Sequence, residues 1–205
     1  MEGLNMVRMD GELVGLREFR IDDTVGLHRI YGDPVATEHL SFPPRDLEAV
    51  HGLVELFIAE TDADRRTAYS LAIVERGRDE LIGSARLGVE SANSGVIGFA
   101  LRADQWNRGY GAEAARLLLA LGFNQLGMYR IWGARSPLNT ASGRLMESIG
   151  MREEGTIRAH IKKNDVWRDS VSHSILLPEW RELERTRSDW YTVRDMPHPG
   201  GRTLP

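Results

Sequence analysis

The sequence predicts a mixed α/β domain of the α+β kind, built around one central mixed sheet flanked by helices. Three strand-like runs stand in a row at residues 68–75, 81–90 and 96–102, and the short turns between them indicate an antiparallel meander. After them the hydrophobic period alternates between helix and strand. A chain of 205 residues with 41% hydrophobic and 27% charged residues suits a single domain with one core.

Each remaining element has its own sequence signal. An apolar strand from Leu13 to Phe19 leads into a short helix that Asp22 or Asp23 would cap, and Asp46 would cap the next helix. The later predicted elements are, in chain order, a helix over 111–126, a strand over 130–135, a helix over 139–149 ended by Gly150, and strands over 152–163 and 166–177. We place the domain at residues 8–185 and a polar, loosely held tail at residues 186–205.

Composition and charge argue against several classes of function. A formal net charge of -4 gives no support for a nucleic-acid partner, because such proteins usually carry a basic surface. Without cysteine the chain has no disulfide, no zinc-thiolate site and no cysteine nucleophile, and we expect no metal. We find no signal peptide and no apolar stretch of membrane-spanning length, so we expect a cytoplasmic protein without a membrane partner. Apolar strand edges near 171–177 would allow a homodimer as well as a monomer.

The most informative segment is the loop and helix start at residues 103–115, A-D-Q-W-N-R-G-Y-G-A-E-A-A. Gly109 and Gly111 have no Cβ, so a ligand can approach the backbone closely there. The free N–H groups in the first turn of the following helix attract anions, and Arg108 adds a positive charge. Together these features predict a site for a pyrophosphate-containing ligand.

Two other interpretations of this segment stay open on the residues alone. One is a glycine-containing helix start that binds nothing, and the other is a dinucleotide site, because Gly109, Gly111 and Ala114 satisfy G-x-G-x-x-A. The context argues against the dinucleotide site, because a loop and three earlier strands precede the first glycine. In addition, Arg135 and Ser136 stand where an acidic ribose ligand would be. A P-loop is excluded, since no Gly-Lys-Ser/Thr follows.

The segment resembles the pyrophosphate turn of the GNAT superfamily of N-acetyltransferases, whose pattern is (Q/R)-x-x-G-x-(G/A). Trp106 replaces the first Gln or Arg, and a Trp followed by G-Y-(G/A)-x-E-A is similar to the ribosomal-protein N-terminal (RimJ/RimL-like) branch. Further likenesses to that branch extend over about residues 12–181: L-V-G-L-R-E-F-R-I-D-D, L-I-G-S-A-R-L, the N-x-x-S…S-I-G-M helix and W-R-D-S…E-W. Glu113 also fits the pattern, and its structural interpretation is a carboxylate that interacts favourably with the helix macrodipole.

The resemblance implies a fold, a co-substrate and a set of binding residues. In the GNAT fold two splayed parallel strands, here 96–102 and 130–136, enclose the pantetheine arm of acetyl-CoA. Asn139 would contact this co-substrate as well as cap its helix, and Ser142 would lie near the thiol. The implied cofactor-binding residues are Phe99, Leu101, Trp106, Arg108, Gly109, Tyr110, Gly111, Ala112, Asn139 and Ser142.

The general base is harder to place than the cofactor site. Many relatives carry Glu in an E-x-G-(Y/F) pattern, but Val96 stands at that position here. Glu90 is the candidate replacement and His160 and Asp104 are weaker ones, but a solvated surface group is the favoured interpretation of each. Ser142 is the second candidate catalytic residue. An α-amine has a pKa about 2.6 units below that of lysine and needs roughly 3.5 kcal/mol less help to become neutral, so a weak base site favours an α-amine acceptor.

These features predict an acetyl-CoA-dependent N-acetyltransferase in which an amine acceptor, a protein or peptide α-amine, attacks the thioester directly. The alternatives are acetylation of a small amine, such as an antibiotic, polyamine or amino acid, and a non-catalytic acyl-CoA-binding module. The acceptor-side segments, residues 31–45 and 159–168, carry side chains of both signs and give no clean charge preference.

Overall fold

A computed structural model describes residues 6–63, 65–91 and 93–186. These residues form eight strands: β1 (Arg8–Asp10), β2 (Val14–Glu18), β3 (Ala68–Glu75), β4 (Leu81–Ser91), β5 (Ser94–Leu101), β6 (Arg130–Arg135), β7 (Arg152–Lys163) and β8 (Val166–Leu176). The helices are α1 (Thr24–Tyr31), α2 (Pro34–Thr37), α3 (Leu47–Thr61), α4 (Tyr110–Ala120), α5 (Thr140–Ser148) and α6 (Leu177–Thr186).

All eight strands belong to one mixed sheet, in the order β1-β2-β3-β4-β5-β6-β8-β7. The predicted meander is confirmed, because β3, β4 and β5 pair antiparallel in succession. Parallel pairing joins β5 to β6, and the connection between them contains α4. The mixed α/β fold class predicted from the sequence is therefore confirmed.

Helices cover both faces of the sheet, and strand β3 shows why. Leu71 and Ile73 are buried in the core cluster that contains α4, whereas the alternate residues Ala72 and Val74 are buried in the cluster that contains α1 and α3. A strand with both faces covered is apolar on both sides, as the run at 71–74 is. The sheet thus separates two apolar layers.

Several boundaries differ from the sequence expectation. Helix α4 ends at Ala120 and continues as a π-helical turn to Gln125, and α6 was not predicted at all. Helix α6 buries Trp180 against Phe123, with ring centroids 5.7 Å apart. Asp23 is the N-cap residue of α1 but makes no side-chain cap hydrogen bond, because its carboxylate binds the buried guanidinium of Arg17 at 2.7 Å.

The expected apolar edge near 171–177 is wrong, because β8 is hydrogen-bonded to β6 on one side and to β7 on the other. Residues of β8 therefore do not offer a free edge for a second copy. No helix in the described part of the chain is both long and apolar enough to cross a membrane. The predicted tail, apart from Thr186, lies outside the described residues, and the domain limits stay a prediction.

Candidate active site

The sheet opens between β5 and β6. Only three residue pairs join these parallel strands, and the last of them is Val96 with Trp132. Beyond that pair β5 continues to Leu101 and β6 to Arg135 without pairing to each other. The edge of β5 that faces β6 is consequently free to bind an extended ligand by main-chain hydrogen bonds.

Helix α4 begins at the mouth of this opening without a side-chain cap. Gly109 is its N-cap residue, with φ 81° in the left-handed region, and no side chain caps the helix. Asn107, with φ 61°, also lies in that region, so the loop turns tightly before the helix. The first N–H groups of α4 have no partner within the helix and are available to an anion.

Gly111 allows three elements to meet at this turn. A Cβ built on Gly111 would lie 2.9 Å from Leu145 Cδ1 of α5 and 3.4 Å from Leu101 Cδ1 of β5. A larger residue would therefore require the Leu145 side chain, or the elements around it, to move. Close packing is thus one reason for glycine at this position.

A cleft of about 440 Å³ joins the free edge of β5 to the start of α4. Trp106 lies at its rim, where its indole Nε1 donates a hydrogen bond to the carbonyl oxygen of Leu101 at 3.1 Å. On the opposite side Asn139 caps α5, since its Oδ1 accepts from the backbone N–H of Ser142 at 3.0 Å. All ten residues expected from the sequence to bind the cofactor line this one cleft: Phe99, Leu101, Trp106, Arg108, Gly109, Tyr110, Gly111, Ala112, Asn139 and Ser142.

Glu113 supports the turn at the start of α4 through hydrogen bonds to the loop between β1 and β2. Its side chain is 2% exposed and accepts hydrogen bonds from the backbone N–H groups of Glu12, Leu13 and Val14 at 2.7, 2.8 and 2.8 Å. The interpretation that Glu113 interacts only with the helix macrodipole is therefore incomplete, because its carboxylate also connects the β1–β2 loop to α4 by hydrogen bonds. Leu13 of that loop lies beside Gly109, 3.3 Å from where a Cβ would be.

A second cavity of about 200 Å³ lies deeper between the splayed strands. Both linings include Phe99, Asn139 and Ser142, so the cavity and the cleft meet at these residues. Its walls come from the loop at residues 39–41, from β5, β6 and α5, and from the β7–β8 hairpin. A bulge in β7 between Ile157 and Ile161 brings His160 into the lining.

The three candidate bases, Glu90, Asp104 and His160, lie at different positions relative to the cleft and the cavity. Glu90 is absent from both linings, and its carboxylate accepts from Trp132 Nε1 at 2.7 Å and from Ser94 Oγ at 3.4 Å. Asp104 is also outside both linings, and its hydrogen bond with Arg102 lowers the pKa of its carboxyl group. His160 lines the deeper cavity, where its Nδ1 is buried and bonded to nothing in the described residues.

Side-chain atoms of the kind that bind metal ions also lie close together at a position away from the cleft. Oxygen or nitrogen atoms of Glu147, Glu153 and His173 lie within 4.8 Å of one another. Glu153 is already bound by the guanidinium of Arg135 at 3.3 Å, and a cation there would compete with a metal. We therefore assign no metal to this cluster.

Comparison with known proteins agrees with this geometry. The acetyltransferase (GNAT) domain family matches residues 14–152, which is more than half of the chain. An uncharacterized N-acetyltransferase of Bacillus subtilis (strain 168), YnaD, is 28% identical over 169 residues, covering 80% of this chain and 94% of the relative. A chain with these matches and this cleft belongs to the GNAT acetyltransferase family, and it is an acyltransferase.

Solved structures show the same fold. A GNAT-family acetyltransferase from Bacillus anthracis has a TM-score of 0.74 at 24% identity, covering 84% of this chain and 99% of that one. A ribosomal-protein-S5-alanine acetyltransferase from Vibrio fischeri has a TM-score of 0.69 at 17% identity, covering 85% and 98%. At these identities the likeness concerns the fold and leaves the acceptor open.

Proposed function

We propose that this protein transfers the acetyl group of acetyl-CoA to an amine that attacks the thioester directly. The observation that carries the proposal is the convergence of two features on one cleft, the uncapped start of α4 and the unpaired edge of β5. The first fits a pyrophosphate and the second an extended pantetheine arm. A cleft of about 440 Å³ falls within the usual range for cofactor sites, roughly 300–1,000 Å³.

The proposed roles of the cofactor residues follow from their positions. The N–H groups from Arg108 to Ala112 would bind the pyrophosphate, with the Arg108 guanidinium adding charge. The backbones of Phe99 and Leu101 would hold the pantetheine arm. One N–H of β5 would donate to the thioester oxygen and stabilise the negative charge that develops there during attack.

Proton transfers complete the reaction. The amine nitrogen bonds to the acetyl carbon, the C–S bond breaks, and one proton must leave the nitrogen while one is gained by the sulfur. We propose that Ser142, at the junction of the cleft and the cavity, donates to the departing thiolate. The Glu90 carboxylate, proposed as the base from sequence, lies outside both linings, and the geometry favours His160 or water in that role.

For the acceptor we propose an α-amine, as in the ribosomal-protein N-terminal branch that the motifs resemble. About 14% of an α-amine is neutral at pH 7, against about 0.04% of a lysine amine, so an α-amine can react without a strong base. The small cavity, about 200 Å³, favours a second candidate, a free small molecule carrying such an amine.

The experiment is acetyl-CoA turnover, read as free CoA thiol, with peptide α-amines, amino acids, polyamines and aminoglycosides as acceptors. The test variant is Gly109→Glu, which places a carboxylate at the proposed pyrophosphate site. Its matched control is Gly77→Glu, because Gly77 has the same φ of 81° but has no atom within 4 Å of a built Cβ. The unfavourable φ is then the same in the two variants, although a Cβ on Gly109 would in addition lie 3.3 Å from Leu13 Cδ1.

We expect Gly109→Glu to lose acetyl-CoA binding and turnover, and Gly77→Glu to keep both. Equal losses in both variants would assign the effect to strain and remove the evidence for the pyrophosphate site. If the parent protein does not bind acetyl-CoA, the proposed function is wrong.

A further inference from the structure

The side chains that line the deeper cavity have a one-sided charge. Arg135, Arg168, His39 and His160 contribute to the lining. Within residues 6–63, 65–91 and 93–186, no Asp or Glu belongs to it. Residues 31–45 and 159–168 carry acidic and basic side chains, but not all of these side chains lie on the surface of the cavity. The absence of a charge preference inferred from those two segments therefore does not apply to the cavity.

Arg168 is the less compensated of the two arginines. Its Nη1 donates to the carbonyl oxygen of His39 at 3.2 Å, and its buried Nε has no hydrogen-bond partner in the described residues. Burial lowers the pKa of this guanidinium, with no neighbouring carboxylate to offset the effect. Arg168 is half-buried, and two fully buried arginines each have a carboxylate partner: Arg17 is bound by Asp23 at 2.7 Å, and Arg66 by Glu18 at 2.8 Å.

Other charges near Arg168 do not reverse this balance. Lys163 donates to the carbonyl oxygens of Thr37 and Glu38, and burial together with the charge of Arg168 lowers its pKa. The Glu38 carboxylate acts in the opposite direction on Lys163, but Glu38 is exposed and lines the outer cleft. Arg135 is partly neutralised by Glu153 at 3.3 Å. Arg168 therefore dominates the charge inside the cavity.

We propose that the acceptor amine carries a carboxylate, which Arg168 binds inside the deeper cavity. A partly buried cation without a carboxylate partner is costly, and an anionic ligand would remove that cost. A cavity of about 200 Å³ holds about seven water volumes, which suits a group of amino-acid size. The amine would then reach the junction at Phe99 and Ser142, where the cavity meets the cofactor cleft.

This inference rests on the proposed acetyltransferase function, and the test separates the two. Acceptors are compared in pairs that differ in the anion: L-amino acids with their amides, each assayed at a pH that gives both members the same neutral fraction of α-amine, and the C-terminal amides of the dipeptides Ala-Asp and Ala-Glu with those of Ala-Asn and Ala-Gln. A preference for the anion in the first set would identify a free amino acid as the source of the carboxylate. A preference in the second set would identify a peptide side chain.

The test variant is Arg168→Gln, and Arg168→Lys keeps the charge. The matched control is Lys162→Gln, which removes one positive charge from the same hairpin, where Lys162 pairs with Asp165 at 2.9 Å outside the cavity lining. Acetyl-CoA binding by calorimetry and the melting temperature show whether each variant keeps its fold and its cofactor cleft.

In the parent protein we expect kcat/KM to be about 10- to 100-fold higher for the anionic member of at least one pair set, as one charge-assisted contact would give. Arg168→Gln should reduce this ratio to near one, Arg168→Lys should retain part of it, and Lys162→Gln should leave it unchanged. Turnover without a preference for the anion in any pair, or a preference that persists in Arg168→Gln, would overturn the inference while leaving the acetyltransferase function intact.

The inference can still be tested if no acceptor in the panel is acetylated. The same pairs are then titrated into the protein saturated with CoA, and the anionic members should bind about tenfold more tightly or better in the parent but not in Arg168→Gln. Equal binding of both members would refute the anion site. Failure to bind acetyl-CoA at all would instead refute the proposed function.

Discussion

Replacing Glu113 by glutamine tests whether the loop between β1 and β2 is held to α4 by hydrogen bonds or whether the carboxylate acts only on the helix dipole. In the structure Oε2 accepts from Leu13 and Val14, and Oε1 accepts from Glu12. Glutamine has one carbonyl oxygen, which can keep two of these bonds in neutral form, and an NH2 group that would face the third N–H.

The magnitude follows from these three contacts. Losing one buried charge-assisted bond costs about 1.5–3 kcal/mol, and converting two others to neutral bonds costs roughly 1 kcal/mol each. We therefore expect Glu113→Gln to lower the free energy of unfolding by about 3–5 kcal/mol. A macrodipole effect alone would contribute only about 0.3–1 kcal/mol.

The assay is urea unfolding followed by tryptophan fluorescence, with Glu48→Gln as the control. Glu48 is also in the first turn of a helix but is exposed, so its replacement measures the dipole contribution alone. A loss in Glu113→Gln no larger than that in Glu48→Gln would refute the role we give to the three hydrogen bonds. A folded Glu113→Gln variant should also bind acetyl-CoA more weakly, because the loop carries Leu13 beside Gly109.

Two further predictions concern packing and pH. Gly111→Ala places a Cβ 2.9 Å from Leu145 Cδ1, and we expect a loss of about 1–3 kcal/mol in urea unfolding; unchanged stability would contradict the packing argument. Arg130 lowers the pKa of Glu154 from 4.5 to about 2, so the pair's stabilising contribution is present above pH 4.5 and is lost as the pH falls towards 2. Glu154→Gln should therefore lose less stability than the parent over that range in acid titrations of the melting temperature, and parallel curves would exclude this contribution.

The elements that form the candidate cofactor cleft could be predicted from sequence because their determinants are local. A left-handed glycine, a helix start and an N-capping asparagine each depend on a few neighbouring residues, and Gly109 and Asn139 occupy those positions in the structure. The fold class followed in the same way from the period of the strands and helices. The cleft is formed by segments that each carry a recognisable pattern in the sequence.

The deeper cavity could not be predicted in this way, because it depends on contacts between distant parts of the chain. The bulge in β7 interrupts the alternation of side chains, so the side on which His160 lies cannot be counted from the strand pattern. Arg168 meets His39 across 129 residues, and Glu113 meets the β1–β2 loop across about 100. No local pattern in the sequence specifies which distant residues come together.

The contacts that hold the β7–β8 hairpin over the cavity have an evolutionary consequence. Lys163 and Arg168 bind the carbonyl oxygens of Thr37, Glu38 and His39, which belong to the main chain. Since every residue supplies a carbonyl oxygen, these hydrogen bonds do not themselves require a particular side chain at the exposed Glu38 or the half-buried His39, whereas Thr37 is fully buried and its hydroxyl donates to the carbonyl oxygen of Asp33. Under the proposed function, the side chains at positions 38 and 39, which line the cleft or the cavity, could therefore differ among related proteins while the hairpin stays in place.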